Sequence, residues 1–202
     1  MFNTSLDDIK GLAEKGNYLT LTAEILSDAE TPISLYYKLC LDQAYSFLFE
    51  SAEQDARMGR YSFIGFDPVE VLTFDGKSDP LEEIKAQMAE FNLAEEDYAR
   101  FGAGFVGYLS YETIRHFEKV PTPDNPPAAD IPESVFFLPR VTIVFDHIKH
   151  TVQLHYLMSL KGDVAENYKE AESAVKDVFE RLEQAKGVPL LKAGEGATDF
   201  EI

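Results

Sequence analysis

The sequence predicts an α+β domain of mostly antiparallel sheets packed with helices. Three observations predict it. Strand-like segments follow one another through short connections, whereas parallel pairing would need a long crossover between each pair. Val141, Ile143 and Phe145 alternate, as do Val152, Leu154, Tyr156 and Met158, so two strands meet in a hairpin near His147 to Lys149. Apolar residues recur at helical spacing only near the two ends and in two short internal stretches.

The elements are expected in this order. Leu6, Ile9 and Leu12 predict a helix over 3–15, with Gly16 as its stop. YLTLTAEIL at 18–26 is extended. Thr31-Pro32 reads as an N-cap followed by a first-turn proline, with Leu35 and Leu39 facing inward. Residues 45–50, 61–66 and 69–74 are rich in aromatic and β-branched residues and read as strands, the last two separated by Asp67-Pro68. Asp79-Pro80-Leu81-Glu82 resembles a cap with a reciprocal glutamate. Leu81, Ile84, Met88 and Phe91 supply the inward stripe of the helix that follows. Glu95-Glu96-Asp97 is expected to be solvated surface.

FGAGFVGYLSYE at 101–112 is strand-like but holds Gly102, Gly104 and Gly107, which suggests a bulge or a close backbone approach. Residues 119–133 contain five of the ten prolines and read as a long loop. The final helix is expected over 163–186, with Val164, Tyr168, Ala171, Val175, Phe179 and Leu182 on its buried face. Residues 1–187 then form one domain, and 188–202 a tail or linker.

Composition narrows the function. The chain has 202 residues, enough for one full domain. Thirty-six acidic against 18 basic residues leave a formal charge of −18, which works against nucleic-acid binding. No apolar run reaches the length of a membrane helix, and no secretory signal is visible, so no membrane partner is expected. The one cysteine, Cys40, excludes an internal disulfide and fits a reducing, cytoplasmic setting.

Catalytic signatures are missing from the pattern. His116, His147, His150 and His155 make no metal-ligand spacing with Cys40 or a carboxylate cluster. Ser51 has no nucleophile-elbow setting, and the glycines at 102, 104 and 107 do not form a phosphate-binding loop.

The stretch FLFESAEQDARMGRYSFIGFDP at 47–68 is different. It brings two strands together around Glu50, Ser51, Ala52, Arg57 and Arg60. One reading is an edge hairpin with a solvated loop and an Arg–Glu surface pair. The other is a corner for a zwitterion. There, hydroxyl and N–H donors take a carboxylate, carboxylate or carbonyl oxygens take an ammonium, and nearby rings enclose an apolar tail. Tyr61 and Ser62 would form a second wall, and Gly104, Tyr108 and Tyr111 could support the same pocket. For these three the bland reading is sheet core with buried hydroxyls.

Several segments in order narrow the choice. GLAEKGNYLTLTAEILSD (11–28), ETPISLYYKL (30–39), FLFESAE (47–53), GRYSFIGFDP (59–68) and GFVGYLSYETIRHFE (104–118) together resemble the N-terminal domain of anthranilate synthase component I. The same domain type occurs in aminodeoxychorismate synthase component I of folate synthesis, which is the close alternative; an interaction scaffold without a ligand is the distant one. The resemblance covers about residues 1–160 well and the last helix more loosely.

The resemblance implies a lyase that converts chorismate and ammonia to anthranilate and pyruvate. Its Mg²⁺ and catalytic residues lie in a C-terminal chorismate-binding domain, and a glutamine amidotransferase subunit, component II, delivers the ammonia. No catalytic residue and no metal ligand then falls in this chain, which is expected to be inactive alone. The resemblance further implies a feedback site for L-tryptophan. The family's L-L-E-S element corresponds to Leu48-Phe49-Glu50-Ser51, with phenylalanine replacing a common leucine. Ser51 would bind the amino acid, Glu50 and Ala52 would line the corner, and Tyr61 and Ser62 would form its second wall.

Overall fold

The computed structural model describes residues 2, 4–25, 30–50, 59–94, 103–121 and 131–184. In chain order these form α1 (Leu6–Lys10), β1 (Tyr18–Ile25), α2 (Pro32–Cys40), β2 (Ser46–Phe49) and β3 (Tyr61–Phe74). Then come α3 (Pro80–Glu90), β4 (Val106–Leu109), a 3₁₀ helix (Tyr111–His116), β5 (Ser134–Asp146), β6 (Thr151–Ser159) and α4 (Val164–Gln184). The strands make one sheet in the order β1-β6-β5-β3-β2, with β4 on β5, and every strand pair is antiparallel. The α+β expectation holds.

Strand alternation sorts the side chains onto two faces. One row runs Leu48, Ile64, Ile143, Leu154, Ala23 across five strands. Its four members from Ile64 to Ala23 are fully buried. This face packs against Ile9 and Leu12, against Leu35 and Leu39 of α2, and against Ala171, Val175 and Val178 of α4. The next row, on the opposite face, runs Phe47, Gly65, Thr142, His155, Thr22.

Local chemistry sets the helix boundaries. Thr31 and Ser34 form a reciprocal capping box at the start of α2, and Pro32 fills the first turn. At the other end, the Arg181 guanidinium of α4 donates to the Leu39 carbonyl (2.7 Å), a group the helix leaves without an internal partner. Asp79 caps α3 by accepting from the Leu81 N–H (2.9 Å).

Four expectations are corrected. The first helix ends at Lys10, and i→i+3 bonds carry the chain through Leu12 and Lys15. Gly16 is not its stop; a Cβ there would sit 2.6 Å from the Ala94 nitrogen, so glycine permits the approach of segment 92–94. The strands at 61–66 and 69–74 are one strand, because Asp67 takes φ +55° and the register shifts between Pro68 and Glu70. A bulge there absorbs the proline without ending the ladder. In α3 only Ile84 of the expected stripe is buried, while Leu81 and Met88 are exposed, and Glu82 faces Lys85 (3.5 Å) rather than its own N-cap.

The glycines of 101–112 are not equivalent. A Cβ on Gly107 would lie 1.9 Å from the Val135 oxygen and 2.6 Å from the Phe136 Cα, both backbone atoms of β5. One on Gly104 meets nothing within 4 Å. Gly107→Ala is therefore expected to destabilise the chain by about 2 kcal/mol, by forcing β4 off β5. Gly104→Ala should stay within ~0.5 kcal/mol. Urea unfolding of both variants checks the contrast, and equal midpoints would contradict it. Gly102, the acidic tract at 95–97 and the proline-rich 122–130 lie outside the described residues.

Candidate functional site

β2 and β3 pair from Ser46↔Phe66 to Phe49↔Phe63, and the corner opens where this ladder ends. Glu50 follows directly and is exposed. Ser51, Ala52 and Arg57 lie outside the described residues. The corner is floored by rings, because the alternation of β2 sends Phe47 and Phe49 to one face. Their centroids are 4.8 Å apart, and Phe49 is 53% exposed, an unusual state for a phenylalanine in a strand. Phe47 lies against Gly65, whose missing side chain leaves room for the ring. Phe47 and Tyr45 both reach Phe137 of β5 at 6.0 Å.

Tyr61 and Ser62 do not share a wall. Tyr61 pairs with Asp146 and packs its ring beside Phe63 (6.1 Å), on the face of Phe47 and Phe49. Ser62 points to the helix-covered face, is fully buried, and shares a hydrogen bond of 2.7 Å with His147 Nε2. The period of two along a strand makes this separation unavoidable.

The start of β3 is tied to the β5–β6 turn. Arg60 Nη2 donates to Asp146 Oδ2 (2.7 Å), and Arg60 Nε reaches both carboxylate oxygens (3.1 and 3.2 Å). Asp146 Oδ1 also accepts from the N–H groups of Ile148 and Lys149, each at 3.1 Å. The Arg60 hydrogen bonds, helped by those two amides, hold the Asp146 carboxyl down at about 2 against the cost of burial. The Arg60 guanidinium also sits 4.7 Å from the Tyr61 ring centre. The sequence suggested an Arg–Glu surface pair here; the partner is an aspartate 86 positions away.

Gly104, Tyr108 and Tyr111 sit elsewhere. Tyr108 is opposite Val135, whereas Tyr61 is opposite Asp146, at the far end of β5. Tyr108 donates its phenol to the Pro132 carbonyl (2.8 Å), and Tyr111 is 84% exposed at the head of the 3₁₀ helix. The ring of Phe137, opposite Val106, is the link between this region and Phe47. Gly104 lines a separate cavity of about 300 Å³ with Met88, Phe91, Leu93, Phe105 and Leu138.

Burial pushes the Cys40 thiol up to about 12, so it stays protonated and unreactive. Among the described residues no three His, Cys, Asp or Glu side chains gather in a group that could hold a metal ion. No helix among them is long and apolar enough to cross a membrane.

Residues 44–200 match the family model described as chorismate binding enzyme. The chain belongs to that family. Curated members similar to it include the probable anthranilate synthase component 1 of Schizosaccharomyces pombe, 34% identical over 92% of this chain and 38% of that protein. The anthranilate synthase component 1 of Acetivibrio thermocellus is 32% identical over 90% of the chain and 40% of its own length. The solved anthranilate synthase component I of Streptococcus pneumoniae shares the fold with a TM-score of 0.50, covering 81% of this chain and 38% of that one at 22% identity. The chain spans about two fifths of the length of these relatives.

Proposed function

We propose that this chain is the N-terminal, tryptophan-sensing part of an anthranilate synthase component I. The observation that carries the reading is the ring-floored corner where β2 runs out beside Glu50. An exposed Phe49, with Phe47 and Tyr61 on the same face, offers an apolar seat for an indole. The carboxylate of Glu50 suits an ammonium, and the Ser51 hydroxyl with nearby N–H groups suits a carboxylate. The names of the relatives support the anthranilate branch of the family.

In this reading chorismate, Mg²⁺ and the reaction belong to the remaining part of the enzyme, and component II supplies ammonia. This segment contributes no catalytic residue. Tryptophan acts by population shift: it binds the low-activity arrangement better and so draws the enzyme into it. The other wall of the corner comes from the catalytic part, so the 202-residue chain alone binds tryptophan weakly.

The test is tryptophan inhibition of anthranilate formation by the complete component I with Ser51→Ala. Loss of one hydrogen bond to a charged carboxylate is worth about 1.5–3 kcal/mol. The half-inhibiting concentration should therefore rise at least about tenfold. An unchanged inhibition curve would remove Ser51 from the site.

A further inference from the structure

We infer that Arg60 and Asp146 form a positioning latch for the tryptophan corner, acting through β3 without touching the ligand. This rests on the tryptophan-sensing reading above. The β3–β5 ladder begins at Tyr61↔Asp146, so Arg60 lies one residue outside it. Without further ties the chain would be free to leave the sheet in any direction at that point. Three ties prevent this. The guanidinium grips the Asp146 carboxylate at 2.7–3.2 Å. The Arg60 carbonyl accepts from the His147 N–H at 2.9 Å. Two residues on, Ser62 is held by the His147 ring at 2.7 Å.

Asp146 is suited to this task because its oxygens are all engaged. Two turn amides fix the carboxylate, and the carboxylate fixes the guanidinium. The side chain is only 10% exposed, so solvent competes weakly for it. The turn thereby fixes Arg60 at the head of β3, and with it the setting of the Tyr61 ring.

The latch also bears on which groups meet the ligand. A guanidinium already paired with a carboxylate is a poor receptor for a second one. The ligand's carboxylate is thus left to donors other than Arg60, and Glu50 stands exposed at the corner to meet an ammonium. A ligand bearing an ammonium is favoured over a simple aromatic acid.

The experiment measures L-tryptophan inhibition in the complete component I, each variant scaled to its own uninhibited rate, together with thermal unfolding. Arg60→Gln and Asp146→Asn should each raise the half-inhibiting concentration about tenfold. The double variant should be no worse than either single one, because both break the same unit. Arg60→Lys should recover part of the sensitivity, since it keeps the charge but not the fork. Lowered melting temperatures with unchanged inhibition would overturn the latch, leaving the pair a structural tie only. Should Arg60→Gln fail to fold, Arg60→Lys and Asp146→Asn carry the same comparison. Ser51→Ala separates the two levels: if it abolishes inhibition while the Arg60 and Asp146 variants respond normally, only the latch falls. If Ser51→Ala is itself inhibited normally, the corner reading falls and the latch with it.

Discussion

Leu154→Ala should lower the stability of the chain by about 3–4 kcal/mol, the cost of a buried cavity that its surroundings cannot close. Leu154 is fully buried in the central row, flanked by Ile143 and Ala23 on the neighbouring strands. Ladders on both sides hold β6, so its backbone cannot collapse inward to fill the void. Leu81→Ala is the control. Leu81 is 42% exposed in the first turn of α3, and its loss should cost under ~1 kcal/mol. Urea unfolding of the two variants, with unchanged denaturant slopes, gives the comparison. Equal losses would mean that the central row is not the mechanical core of the domain.

That contrast also shows where the sequence was readable. Both leucines sit in apolar stripes of the right period. Periodicity identifies a face, but it does not say whether anything covers that face. For β6 and α4 the covering partner exists, and the expected residues are buried or packed against the core. For α3 it exists only in part: Ile84 is buried and Phe91 stacks on Tyr18 of β1, while Met88 borders a cavity. The first helix shows a related limit. Ile9 and Leu12 do reach the core, although the helix itself stops between them, since a turn with i→i+3 bonds can present nearly the same stripe. Asp67-Pro68 is ambiguous for another reason: a proline that ends a strand and one that sits at a bulge look alike in sequence.

The candidate site was legible only in part. Alternation already placed Phe47 and Phe49 on one side of a strand. It also implied that Tyr61 and Ser62 face apart, although the residue types alone suggested one shared wall. The Arg60–Asp146 pair joins residues 86 positions apart and could not be read locally. Only the antiparallel register of β3 on β5 brings them together. Ser51 owes its assignment to family resemblance, because a lone serine at a strand end carries no chemical signature of its own.

The stability of the chain should also fall by about 3 kcal/mol between pH 6.5 and pH 4 because of His155 alone. This side chain lies on the face opposite α1, α2 and α4, between Thr22 and Thr142, with its Nδ1 3.2 Å from the Thr22 hydroxyl. It is 6% exposed, and burial pushes its pKa down to about 4 from the ordinary 6.5. The folded state therefore holds a neutral imidazole where the unfolded chain takes up a proton. Well above pH 6.5 neither state is protonated and the contribution is complete. As pH falls below 6.5 the unfolded chain gains a proton that the folded chain refuses, and each pH unit costs about 1.4 kcal/mol. Below about pH 4 both states carry the proton and the loss levels off. The Asp146 carboxyl, held at about 2, acts lower, its stabilisation fading as pH drops from about 4 towards 2, so the two windows separate. Other carboxylates titrate near the bottom of the range, which is why the measurement needs a difference. Urea midpoints of the parent and of His155→Leu are compared from pH 7 to pH 4. The variant should start about 1 kcal/mol lower at pH 7, having left the Thr22 hydroxyl without its partner. It should then decline less steeply, so that the two curves cross before pH 4. Parallel curves would show that His155 is protonated without resistance in the folded chain and that this face of the sheet is open to water.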